Sequence, residues 1–337
     1  MVAGFIRCIL AIAALACLIF SQRTLTAEEH FELGASYARS GQWDEAVASF
    51  SRALALSPKL VEALNGRGAA YSRLGQLALA EADLNVAIKL DPKFAVAYYN
   101  RGLLYTAREM YEKAISDLNT AIRLRPDYAE AYLSRGNIFE RRDGNELALA
   151  DYTTAIRMNR QYALAYYNRA VVHRKLGRLE PSIADFTDVI RINPGQSAAY
   201  VNRGSIYFEQ SRYDLALADY DEAIKVNPRS AKAFYNRGVL RVQQTQYEAA
   251  VSDYSAATEI DPGYIDAYYN RAIAYFGLGK NDLALRDLAR VVDIDPKYAR
   301  AFAMRAVVYC SSGKPEAARA DEKRAAELGA TVISRCP

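Results

Sequence analysis

Residues 95–102 read AVAYYNRG, 163–170 read ALAYYNRA, 231–238 read AKAFYNRG and 265–272 read IDAYYNRA. Their starting points lie 68, 68 and 34 residues apart, all multiples of 34. Prolines keep the same count at Pro58, Pro92, Pro126, Pro194, Pro228, Pro262 and Pro296, with Arg160 in the vacant slot. A chain of 337 residues would ordinarily suggest two or three globular domains, but a fixed period means copies of one supersecondary unit instead. Nine units beginning at Ala27 fill 27–60, 61–94, 95–128, 129–162, 163–196, 197–230, 231–264, 265–298 and 299–332. Residues 1–26 precede them and a tail, 333–337, follows.

Within a unit, small residues recur at the eighth place (Gly34, Gly68, Gly102 to Ala306), the twentieth (Ala46, Ala80 to Ala318) and the twenty-seventh (Ala53 to Ala325). Large apolar residues such as Tyr98, Tyr105 and Leu118 fill places 4, 11 and 24. Spacings of 3, 4 and 7 are those of helix faces. A glycine near place 15 (Gly41, Gly75, Gly177, Gly279) parts two helices, and the proline near place 32 closes the second. Each unit is therefore a helical hairpin that must stack on its neighbour to bury its second face.

Period 34, small residues at 8, 20 and 27, an aromatic at 11 and proline at 32 together resemble the tetratricopeptide repeat. The resemblance covers residues 27–332. It implies an all-α fold, a right-handed superhelical solenoid of antiparallel helix pairs. It also implies a concave groove lined by the first helices and a role in binding other proteins. Unit 9 departs at Glu322, where the pattern wants a large apolar residue, as suits a C-terminal cap with nothing stacked upon it. Units 4 and 5 lose the proline, shift the glycine to Gly144, carry His173 and place Pro181 in a helix's first turn, so an irregular joint is expected there.

Arginine replaces the family's leucine at place 7 in eight units, from Arg67 and Arg101 to Arg305. The same eight carry aspartate at place 23, from Asp83 and Asp117 to Asp321, whereas unit 1 has Leu33 and Ser49. Matched opposite charges predict an ion-pair ladder between helices rather than a cationic stripe. Whether an aspartate pairs within its hairpin or with the next arginine is open at this stage.

Chemistry finds little to work with. The two histidines, His30 and His173, stand at packing places, and no Cys-x-x-Cys, His-Glu-x-x-His or phosphate-cradling glycine loop occurs. The reading therefore names no catalytic residue, metal ligand or cofactor, and expects a protein that is not an enzyme. A net charge of +4 implies no polyanion, so nucleic acid is not an expected partner.

The family resemblance implies that places 2, 5, 6, 9, 12 and 13 face the groove. Place 6 holds Asn100, Asn168, Asn202, Asn236 and Asn270, whose amides offer a peptide backbone both donor and acceptor. Place 5 adds Tyr99, Tyr167, Tyr235 and Tyr269. Place 13 supplies Arg39, Arg73, Arg141 and Lys175, a cationic half that would attract carboxylates. The competing reading has the asparagines bond neighbouring helices and the tyrosines simply pack. The carboxylate clamp of chaperone-binding family members needs a lysine at place 5, which no unit has.

Arg7 followed by CILAIAALACLIF, Cys8 to Phe20, resembles a secretory signal. An uncleaved anchor and lipidation at Cys17 are the alternatives, and all three export the repeats to a bacterial periplasm or envelope. The expected function is a scaffold holding an extended or acidic segment of a partner protein in the concave groove. A membrane-tethered docking factor using outer faces or array ends, self-association included, is the first alternative, and RNA binding, by analogy with 35-residue helical repeats, a remoter second. A membrane would then be engaged only through residues 1–26. Cys310 and Cys336 form an even pair that an oxidising compartment could join, or two unrelated thiols.

Overall fold

The computed structural model describes residues 24–330. The expectations for the leader segment fall outside those residues, as does Cys336, whereas Cys310 lies within them and is disulfide-bonded. Among the described residues the structure is wholly helical, with eighteen helices and no strand. They are α1 Ala27–Arg39, α2 Trp43–Leu56, α3 Val61–Arg73, α4 Leu77–Leu90, α5 Ala95–Ala107, α6 Tyr111–Leu124, α7 Ala129–Arg141 and α8 Asn145–Met158. There follow α9 Ala163–Lys175, α10 Leu179–Ile192, α11 Ser197–Glu209, α12 Tyr213–Val226, α13 Ala231–Gln243, α14 Tyr247–Ile260, α15 Ile265–Gly277, α16 Asn281–Ile294, α17 Ala299–Ser311 and α18 Pro315–Glu327. They fall into two compact units divided between Arg160 and Gln161, at the slot without proline. The first unit holds α1–α8 and the second α9–α18.

In each unit the two helices of a hairpin make the most extensive contact, and each second helix packs on the first helix of the following repeat. First helices also touch one another across the intervening second helix, as α1 does α3 and α13 does α15, while second helices make no comparable contact. First helices thus form the inner layer of both stacks. The chain's start on this layer is fixed by a reciprocal cap. Thr26 Oγ1 accepts from the Glu29 amide at 3.1 Å, and the Glu29 carboxylate accepts from the Thr26 amide at 2.8 Å.

Small residues let the hairpins close. Ala46, Ala80, Ala114, Ala148, Ala216, Ala250 and Ala284 are fully buried, and Ser182 takes the same place by donating its hydroxyl to the Ala170 carbonyl at 2.7 Å. A Cβ on Gly136 or Gly238 would lie 2.7 Å from the Tyr152 or Tyr254 ring, so the hairpin spacing there requires glycine.

All nine hairpin turns use a left-handed residue at place 15. Gly41, Gly75, Gly177, Gly279 and Gly313 supply it with φ near 70°, but Glu109, Asp143, Ser211 and Thr245 adopt φ of 57–59°. Asp143 itself therefore makes the unit-4 turn, and the shifted Gly144 has an ordinary φ of −76°. Short polar side chains such as aspartate's tolerate this region best. Between repeats, Asp91 Oδ1 accepts from the Lys93 amide, and Asn193, Asn227, Asp261 and Asp295 repeat the bond two residues on, at 2.9–3.2 Å. The bond skips the proline between, which has no N–H to offer.

Candidate functional site

The orientation of every first helix but α1 is set by the residue at place 7. Arg67, Arg101, Arg135, Arg169, Arg203, Arg237, Arg271 and Arg305 each grip the aspartate sixteen residues on, in the same hairpin. Nε and Nη2 lie 2.6–3.0 Å from its two oxygens. The aspartate side chains are 2–12% exposed and the arginines 15–22%, so the pairs are shielded from water. Hydrogen bonding to the carboxylate, working against burial, holds Arg67, Arg101, Arg135, Arg169, Arg203 and Arg305 above the ordinary guanidinium range.

The third nitrogen does something the sequence reading missed. Nη1 of Arg67, Arg101, Arg203, Arg237 and Arg271 donates to Ser51, Asn85, Thr187, Asp221 and Ser255 at 2.6–3.1 Å, and Arg135 does the same to Asn119. These acceptors occupy place 25 of the preceding repeat. One guanidinium therefore ties three helices, and place-4 and place-11 rings flank it, as Tyr98 and Tyr105 flank Arg101 at 5.7 and 5.8 Å.

With the helix rotation fixed at place 7, places 5 and 6 fall on the inner layer. Asn100 Nδ2 donates to Asn65 Oδ1 at 2.8 Å, Asn202 to the Tyr167 hydroxyl at 2.8 Å, Asn236 to Ser205 Oγ at 3.1 Å and Asn270 to the Tyr235 hydroxyl at 2.9 Å. Each bond runs to the first helix of the preceding repeat. Part of each amide's donor capacity, expected to be open to a guest, is thus committed within the protein, while Oδ1 of these four keeps no partner among the described residues. Asn168 is half-buried at the same place on α9.

The place-5 tyrosines pack as well as line. Tyr99 lies against Tyr128 with centroids 4.8 Å apart, Tyr235 against Tyr264 at 4.9 Å, Tyr269 against Tyr298 at 5.6 Å and Tyr167 against Phe186 at 5.5 Å. Burial pushes the phenols of Tyr99, Tyr235 and Tyr269 above their ordinary range, and those of Tyr264 and Tyr298 up to about 12.

The place-13 cations end the first helices and reach toward the preceding hairpin. Arg73 stands 5.8 Å from the Trp43 ring and Arg141 donates to the Tyr111 hydroxyl at 3.2 Å, both partners being place-17 residues. Arg39 and Lys175 are exposed at the corresponding ends of α1 and α9. Beside Lys175 on α9, Arg174 is ion-paired to Glu209 of α11.

Two clefts gather some of these residues. In the first unit, Arg73 and Asn100 join Trp43, Leu77, Leu103 and Leu104 around a space of about 510 Å³. In the second, Tyr167 and Asn202 join Val201, Ser230 and Lys232 around a smaller one of about 180 Å³. The remaining predicted residues lie on first helices outside these clefts. Trp43 and Lys232 went unassigned from sequence, although Trp43 is the chain's single tryptophan. Among the described residues no group of three or more His, Cys, Asp or Glu could hold a metal ion, and no helix is long and apolar enough to cross a membrane.

Family models described as tetratricopeptide repeat match residues 61–94, 84–116, 142–197, 201–265 and 241–307, and one described as TPR repeat matches 34–75 and 102–143. No curated protein matches the chain. Among solved structures, a tetratricopeptide repeat protein from Parabacteroides merdae superposes with a TM-score of 0.54 at 24% identity, covering 70% of this chain and 93% of that one. The APC/C hetero-tetramer Cut9–Hcn1 gives 0.52 at 14% identity, covering 90% and 73%. At such identities the likeness is one of fold.

Proposed function

Because this chain belongs to the tetratricopeptide repeat family, we propose that it is a non-enzymatic protein-interaction scaffold that holds an extended segment of a partner protein against its first helices. The observation that carries this reading is the common setting of Asn100, Asn202, Asn236 and Asn270. Each bonds the preceding first helix, Asn100, Asn202 and Asn270 at its place 5 and Asn236 at its place 9, and each keeps an unused amide oxygen. In the second unit, the row of fixed acceptors at Asn202, Asn236 and Asn270 suits the N–H groups of an extended backbone, whatever its side chains. The tyrosines beside them add broad amphipathic contact area at small entropic cost.

The guest is acidic in this reading. Arg39, Arg73 and Arg141 at the ends of α1, α3 and α7 would draw carboxylates to the first unit, and Lys175 at the end of α9 would do so in the second. Arg7 and the apolar run Cys8–Phe20 support export, which would put the repeats in a bacterial periplasm or envelope.

The test is capture of native envelope partners by a tagged chain against a variant with Asn168, Asn202, Asn236 and Asn270 all changed to alanine. Lost capture with retained helicity supports the reading. Undiminished capture by the variant contradicts it.

A further inference from the structure

Trp43 opens α2 half-buried and forms one wall of the first unit's cleft. Leu77 from α4, with Leu103 and Leu104 from α5, supplies most of the remaining apolar lining beside Ala69 and Ala107, and Leu104 is only 1% exposed. Four helices, α2 to α5, from three successive repeats thus line a space whose volume lies within the roughly 300–1,000 Å³ usual for a ligand pocket.

Its polar groups are few. The Arg73 guanidinium stands over Trp43 at 5.8 Å and has no carboxylate partner among the described residues, whereas Arg108 nearby is paired to Glu81. Asn100 gives one N–H to Asn65 and leaves its oxygen unused. Ser72 Oγ, also in the lining, is shielded from solvent without a hydrogen-bond partner. An apolar space with one free cation and one fixed acceptor at its edge is complementary to a particular chemistry.

We infer that this cleft is the anchor site of the scaffold, taking one large apolar side chain of an acidic partner segment whose neighbouring carboxylate pairs with Arg73. The inference rests on the reading of the first helices as a peptide-holding layer, and it names which guest chemistry that layer selects. The apolar side chain would bury against Trp43 and Leu103, its backbone N–H would reach Asn100 Oδ1, and the carboxylate would exchange water for the guanidinium.

Because Trp43 is the only tryptophan, its emission reports occupancy of this cleft alone. The full chain would be titrated with the capped peptide Asp-Glu-Phe-Glu-Asp, with the same peptide carrying alanine for phenylalanine, and with its amide version Asn-Gln-Phe-Gln-Asn. Calorimetry would run in parallel. The expected result is a saturable change in Trp43 emission with the first peptide and affinity at least about tenfold weaker for each of the other two. Arg73→Gln, at an exposed site, should cost the acidic peptide a similar factor and leave the amide version unaffected. No saturable emission change, or equal affinity for acidic and amide peptides, would overturn the inference. Calorimetric binding of the acidic peptide with unaltered Trp43 emission would also overturn it, while leaving the broader peptide-holding reading intact.

Discussion

Arg203 closes on Asp219 of its own hairpin, with Nε 2.9 Å from one carboxylate oxygen and Nη2 2.7 Å from the other. The alternative partner for that aspartate, Arg237 of the next repeat, instead grips Asp253. A double-mutant cycle should therefore find strong coupling between Arg203 and Asp219 and none between Arg237 and Asp219. Removing one member of such a shielded pair costs about 3–5 kcal/mol, because the other is left buried and unmatched. By contrast, Asp221→Ala removes only a half-exposed acceptor of Arg237 and should cost under about 1 kcal/mol in chemical denaturation. Coupling shared equally between the two arginines would contradict the assignment.

Thr245 occupies the left-handed turn position with φ of 59°, a region costly for a β-branched residue. Relief of roughly 1–2 kcal/mol of strain exceeds the roughly 0.5–1 kcal/mol that glycine's extra freedom costs. Thr245→Gly is thus expected to stabilise the protein by about 1 kcal/mol. The converse, Gly279→Ala, should destabilise through the backbone alone, since nothing lies within 4 Å of the added methyl. A thermal melt in which Thr245→Gly lowers stability would refute this account of the turns.

Alkaline pH should weaken the second unit. Burial pushes Tyr220, Tyr264 and Tyr298 up to about 12, whereas an unfolded tyrosine titrates near 10. Below the unfolded value both states hold the proton and the full stability is present. As pH rises from about 10 to 12 the unfolded chain releases protons that the folded one keeps, so stability falls across that window. Tyr264→Phe should flatten the fall measured by circular dichroism; an unchanged slope would remove Tyr264 from the effect.

Much of this architecture is legible in the sequence because its causes are periodic. Gly136, Ala148 and Pro126 recur at fixed places since each hairpin meets the same steric demand. Arg203 and Asp219 betray each other by changing together, unit 1 lacking both. The place-25 acceptors escaped notice because serine, asparagine, threonine and aspartate share only a side-chain oxygen, so the chemistry repeats while the letters do not. The direction of the Asn202 amide was equally hidden, its partner Tyr167 lying 35 residues back. The Trp43 cleft has no sequence signature at all, for it exists only where three repeats meet.

The central claim is that a guest lies on the first helices and not on the outer ones. Photo-crosslinking in the native cell tests it directly, with the reactive residue placed at Tyr99 or Tyr235 on the inner layer, or at Leu79 or Leu215 on exposed second-helix surface. The account predicts partner adducts from Tyr99 and Tyr235 and none from Leu79 or Leu215. Adducts formed only from the two leucines would contradict it and leave docking through the outer faces in its place.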